Sequence, residues 1–252
     1  MIPPTIADTF ISLAAFCGLI VLIRTIRSFD AESPLTRRFL FGLRVLAALM
    51  ISRVLAWWTG LFVFEAATII AAGLVPLATV ILAEGLMRRH APRLTKWIAA
   101  GGAASFAVLA FLPASFADPW RFLGLFLYQL VTFALAGHMA VTRDRKSLSR
   151  AENQAVDRIA LSLLLILPLL VTDFRSTYID LPVRLGGVAI LFLCWLLISL
   201  GQRATSHRDT VTAFVILTAV ALTAALAIGI ATSFAAAAFA RTASVITAAA
   251  LL

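Results

Sequence analysis

Charge is what this sequence has least of. Only 13% of its 252 residues are Asp, Glu, Lys or Arg, against about 25% in an ordinary soluble domain. Half the usual charge cannot cover a surface that faces water. Cysteine is nearly absent too. Cys17 and Cys194 both fall inside apolar runs without a ligand-like neighbour, so no disulfide framework and no structural zinc site is implied. Both are expected to be inert buried thiols.

Other absences narrow the chemistry. There are three histidines, and only His138 lies inside an apolar run; His90 and His207 fall in loops. That weighs against bis-histidine haem and against a metal cluster. The two lysines, Lys96 and Lys146, are also outside the runs, which excludes a retinal Schiff base. No HExxH, GxSxG, Walker loop or dinucleotide fingerprint occurs. No loop is long enough to fold alone. The expectation is a chain with no catalytic residue, no metal and no cofactor.

What the chain has is grease and arginine. It is 62% hydrophobic with a mean hydropathy of +1.02, too apolar for disorder. A lipid-facing surface is the remaining reading. The net charge of +9 would suggest nucleic acid in a soluble protein. Here the basic residues punctuate apolar runs, where they set orientation instead. Arg outnumbers Lys nineteen to two, and Ala is abundant. That bias suggests a GC-rich bacterial genome, and hence a bacterial inner membrane.

The runs predict an all-α polytopic bundle of about eight spans (range 7–9), a single transmembrane domain covering 1–252. The spans are approximately 6–23, 39–58, 61–87, 97–112, 120–141, 155–172, 185–200 and 210–232. No basic residue precedes the first run, so it reads as an uncleaved span with its N-terminus outside. Thr59-Gly60 predicts a tight turn. Gly73 and Pro76 predict a kink in the long third span, or a protruding end. Ser149 to Glu152 fits a capping box that starts a helix below the sixth span. The eighth uncharged stretch exceeds the ~30 Å hydrocarbon thickness, with Gly229 and the Thr232-Ser233 pair as candidate break points. Residues 242–252 read as the start of a further span, so the chain would be the membrane portion of a longer protein.

Charge supports that order. Four loops assigned to the cytoplasm hold fifteen of the 21 basic residues; Arg121, Arg175, Arg184 and Arg241 fall outside, and Arg44 and Arg53 within a span.

Ionisable groups at membrane depth cost roughly 2.5–3.5 kcal/mol each on insertion scales, so they are the best functional pointers. Arg53 and Glu65 stand six residues either side of Thr59. Equal distance from a turn means equal depth, which predicts an ion pair across the hairpin. Arg44 and Glu84 differ in depth by ~15 Å; Arg44 is expected to snorkel to headgroups and Glu84 to sit beside the following basic loop. Asp173, Arg175 and Arg184 reach comparable outer depth. An outward-side cluster of Arg53, Glu65, Asp173, Arg175 and Arg184 would suit a small anionic or zwitterionic ligand. The plainer alternative is interfacial anchoring with loop salt bridges. Trp57, Trp58, Trp120 and Tyr128 are assigned to the interfacial aromatics, and Tyr178 lies nearby. His138 is expected to be an interhelical donor. Asp144 and Asp157 read as solvated loop charges. The small residues Ala221, Ala225 and Gly229, and the pairs Gly101-Gly102 and Gly186-Gly187, predict close helix packing.

In layout the chain resembles the N-terminal multi-span regions of bacterial sensor and regulator proteins. The likeness covers the whole chain and rests on no motif. It implies a sensory or regulatory module that detects a small or membrane-borne signal within the bundle. A cytoplasmic output domain or partner protein would read it, with the lipid bilayer as the constant partner. Nucleic acid is not expected, and homo-oligomers are allowed. A small transporter or channel is the second class, and an enzyme acting on a lipid-linked substrate the third.

Overall fold

The computed structural model describes residues 6–29, 33–112, 120–174, 184–202, 207–234 and 245. Those residues are helical with short connections, and no strand occurs among them. In chain order the helices are α1 (Ile6–Phe29), α2 (Pro34–Thr59), α3 (Phe62–Met87), α4 (Arg93–Leu109), α5 (Trp120–Val141), α6 (Arg150–Val171), α7 (Gly186–Gln202) and α8 (His207–Phe234). A 3₁₀ turn, Thr172–Phe174, extends α6. Each predicted span overlaps one of these helices.

Local chemistry sets the ends. Ser33 caps α2 by accepting from the Thr36 N–H at 3.1 Å, and Pro34 follows where a missing N–H costs nothing. Gly60 ends α2 in the left-handed region (φ 64°), donating its N–H to the Ala56 carbonyl. The expected capping box forms in both directions. The Glu152 N–H donates to Ser149 Oγ at 3.2 Å, and the Ser149 N–H to Glu152 Oε2 at 2.8 Å.

Five helices are long and apolar enough to cross a membrane: Ile6–Ser28, Pro34–Thr59, Phe62–Met87, Arg121–Val141 and Glu152–Val171. Gly186–Ile198 is a shorter apolar helix. One expectation is corrected: α8 runs through Gly229, Thr232 and Ser233 to Phe234 without a break. α3 is helical from end to end with Pro76 buried inside it. The proposed further span at 242–252 lies almost wholly outside the described residues.

Contacts divide the chain into two compact units, 1–22 with 165–252, and 23–164. In the first, α1 buries Ala7, Phe10 and Ile11 against Ile166 and Leu169 of α6 and Val188, Ala189 and Phe192 of α7. Ile11 lies against Gly187, and Gly18 against Leu191 and Cys194, so α1 and α7 run parallel. Gly187 permits that approach: a Cβ there would meet Ile11 Cγ2 at 2.7 Å. Phe192 stacks on Trp195 and meets Phe214 of α8 edge-on.

In the second unit α2 and α3 form an antiparallel hairpin about Gly60. Its register is marked by Ser52 and Thr68, eight residues either side, whose hydroxyls lie 3.1 Å apart. At the far end, Val80, Met87, Ala91, Ala99, Met139 and Val156 gather α3 to α6 into one core cluster.

Candidate functional site

Three polar constructions stand out, one in the first unit and two in the second.

The first is the start of α7. A helix N-terminus leaves backbone N–H groups without helical acceptors and carries partial positive charge. Here three successive N–H groups each find a side chain. Arg184 N donates to Asp8 Oδ1 at 2.7 Å, Leu185 N to Thr172 Oγ1 at 2.7 Å, and Gly186 N to Asp173 Oδ1 at 3.2 Å. Asp8 comes from the first turn of α1 and is 1% exposed. Thr172 and Arg184 are also buried. A Cβ at Gly186 would fall on the Asp173 carboxylate, so only glycine lets that acid close over the helix end. Two carboxylates of the chain thus occupy the place where a helix end would otherwise take an anion.

This revises the predicted cluster. Asp173 and the Arg184 backbone both stand at the start of α7, together with Asp8, which the sequence reading did not assign to the cluster. Arg175 and Tyr178 lie outside the described residues, as does the side chain of Trp120.

The second construction crosses α3, α4 and α5. Pro76 has no N–H, so it frees the Ala72 carbonyl one turn earlier and crowds the ladder beside it. Gln129 Nε2 of α5 donates to that carbonyl at 3.1 Å. The neighbouring Tyr128 hydroxyl lies 3.1 Å from the Gly73 carbonyl and 2.7 Å from the Ala99 carbonyl of α4, one proton serving both. Its ring stacks on Phe106 with centroids 5.5 Å apart. It rests on Gly102, where a Cβ would collide with it. Gly73 is equally constrained, since its Cβ would meet Phe106 Cβ at 2.9 Å. Tyr128 begins about 12 Å along α5 from Trp120, and its hydroxyl bonds carbonyls of α3 and α4.

The third construction is the basic end of the second unit. Glu84 Oε1 accepts from Lys96 Nζ at 2.6 Å and from the Ala91 N–H at 2.6 Å, fixing the α3–α4 connection. Arg88 at the left-handed end of α3 (φ 49°) pairs with Glu152 of α6 at 2.6 Å. Arg143, its side chain 2% exposed, bonds Asp157 at 2.7 Å, Asn153 Oδ1 at 3.0 Å and the Ala140 carbonyl at 2.7 Å. Asp157 is thus a structural partner and not a solvated loop charge. Arg38 reaches the Ile81 carbonyl at 3.4 Å. The start of α2 and the α3–α4 and α5–α6 connections therefore share one end.

The predicted ion pair is not formed. Arg53 is 7% exposed, its guanidinium 5.2 Å over the half-buried Trp57 ring and 3.5 Å from Met50 Sδ. Glu65 and Trp58 are exposed, and no contact within 4.0 Å joins Arg53 to Glu65. His138 is exposed as well, and among the described residues its ring makes no interhelical hydrogen bond. Arg44 is exposed along α2, as snorkelling requires.

Among the described residues no group of three or more His, Cys, Asp or Glu is placed to hold a metal ion. The fold defines a helical membrane protein. No protein-family model, no curated protein and no solved structure matches the chain.

Proposed function

We propose that the chain is a multi-pass sensory or regulatory module of a bacterial inner membrane. On this reading eight helices cross with the N-terminus outside, and a small or membrane-borne signal is detected within the helices and passed to a cytoplasmic output domain or partner. The orientation draws support from the gathering of Arg88, Arg93, Lys96, Arg143 and Arg145 at one end of the second unit, the pattern that holds basic residues inside.

The observation that carries the reading is the joint at Pro76. The Ala72 carbonyl of α3, which Pro76 leaves without a helical donor, is met there by Gln129 of α5, and the Tyr128 hydroxyl lies on the adjacent Gly73 carbonyl. A helix whose continuity depends on its neighbour registers any displacement of that neighbour, because unpaired carbonyls in lipid are costly. A signal that binds two helix arrangements unequally shifts their balance. A small secondary transporter is the alternative, favoured by the buried carboxylate of Asp8; the occupation of that group by a backbone N–H counts against it.

The test places spin labels at Val63, in the first turn of α3, and at His90, in the connection just beyond its end, both exposed. Their separation is measured by pulsed dipolar spectroscopy in bilayers of increasing acyl length. The expected result is a distance that changes with thickness in the wild type and stays constant in Pro76→Ala. A distance indifferent to the bilayer, together with gradient-driven ion flux abolished by Asp8→Asn, would establish transport instead.

A further inference from the structure

The basic end of the second unit contains two kinds of cation. Arg88, Arg143 and Lys96 are consumed by Glu152, Asp157 and Glu84. Arg37, Arg89, Arg93, Lys146 and Arg150 are exposed, and among the described residues no carboxylate lies within 4.0 Å of any of them. Among the described residues the fourth acid at this end, Asp144, turns Oδ1 to the Lys146 N–H at 3.0 Å. The described acids are therefore occupied while the exposed arginines keep their charge.

That surface adjoins exposed hydrophobic bulk. Leu94 is 68% exposed and Trp97, one turn along α4, is 76% exposed, the highest exposure of any large hydrophobic residue described. Trp97 shares its helical face with Arg93, four residues earlier. The Glu84 bonds to Ala91 and Lys96 hold the connection rigid on its inner side. Arg89 and Arg93 are thereby left on its outer side, and Arg89 and Arg150 flank the Arg88–Glu152 bridge in sequence.

We infer that this rim is a binding surface for anionic phospholipid, with Arg89, Arg93 and Arg150 taking the headgroup phosphate and Leu94 and Trp97 entering the adjoining acyl layer. Charge complementarity selects the occupant. Unpaired guanidiniums favour phosphate, and an amphipathic ring beside them suits the headgroup boundary. An acidic protein partner would not call for Trp97 and Leu94 in the same place. The inference rests on the membrane placement proposed above, and it adds a lipid class to it.

The experiment uses the full chain in vesicles of phosphatidylcholine, or of phosphatidylcholine and phosphatidylglycerol in equal parts. The acyl chains of one or the other lipid are brominated. The quenching lost in Trp97→Phe isolates the lipid beside Trp97. The expected result is stronger quenching by brominated phosphatidylglycerol, with a preference falling by about fivefold for each arginine removed in Arg89→Gln/Arg93→Gln. The preference should be kept in Arg89→Lys/Arg93→Lys, which preserves charge and controls for folding. It should also be kept in Arg24→Gln/Arg27→Gln, which removes two exposed charges on α1. Persistence in the double glutamine variant, or equal loss in the α1 variant, overturns the headgroup assignment and leaves the membrane placement standing. Quenching by neither lipid overturns both.

Discussion

The Gln129 amide donates, at 3.1 Å, to the Ala72 carbonyl that Pro76 leaves without a helical partner. Pro76 opens, and Gln129, 53 positions further on, closes one gap in a backbone ladder. The consequence is a coupling between them. Gln129→Leu in the wild type strands the carbonyl, and the protein loses about 0.6–1.7 kcal/mol, the range of interhelical hydrogen bonds in membranes. In a Pro76→Ala background residue 76 regains its N–H and closes the ladder itself. The same Gln129→Leu change should then cost almost nothing. Equilibrium unfolding in a bilayer, run as a double-mutant cycle, reads the difference; additive effects would show that Gln129 does not serve the broken turn.

Two adjacent glycines on α4 make opposite predictions. A Cβ at Gly102 collides with the Tyr128 ring, whereas one at Gly101 has nothing within 4 Å. Gly102→Ala must push the ring off its carbonyl partners and overpack the α4–α5 contact, a penalty of about 1–3 kcal/mol. Gly101→Ala should be neutral or stabilising by up to ~1 kcal/mol, since alanine favours helix over glycine. Thermal denaturation of the two purified variants separates them, and equal midpoints would contradict the close approach.

Asp8 supplies an acceptor to the start of α7. Asp8→Ala leaves the Arg184 N–H buried without that carboxylate, at a cost of about 1–3 kcal/mol. Asp8→Asn keeps an acceptor oxygen in place and should fall between alanine and wild type. The order wild type, Asn, Ala in unfolding free energy is the expected outcome. Alanine and asparagine variants of equal stability would mean that the bond to Arg184 contributes nothing.

The helices were legible in the sequence and their rotations were not. Apolar runs and caps announce themselves locally, so the Thr59-Gly60 turn and the Ser149–Glu152 box appear where their residue types place them. Depth follows from counting at ~1.5 Å per residue. Azimuth turns by about 100° per residue, and two undetermined residues in a turn are enough to lose it. That is how Arg53 and Glu65, only nearly level along the hairpin, came to different sides. Ser52 and Thr68, undistinguished hydroxyls, satisfy both coordinates. Gln129 and Pro76 were each visible as polar or donor-less positions near mid-span, but nothing local says that α5 lies against α3 at that level. Asp8 was hidden for the same reason: its partner lies 176 residues away.

The α2–α3 hairpin offers the sharpest check on that distinction. Exchanging the charges, Arg53→Glu with Glu65→Arg, should not rescue the stability lost on Arg53→Glu alone. Arg53 lies over Trp57 in a buried position, where a carboxylate loses the ring contact and meets the cost of unpaired burial. Glu65, being exposed, should tolerate Gln within ±0.5 kcal/mol. Ser52→Ala and Thr68→Ala should instead couple, because each removes the same hydroxyl contact and the second loss finds nothing left to break. A coupling of a few tenths of a kcal/mol to about 1 kcal/mol is the size expected for one such bond in a membrane. Rescue in the charge-exchanged pair, with strict additivity in the hydroxyl pair, would place the hairpin in a different rotation from the one described.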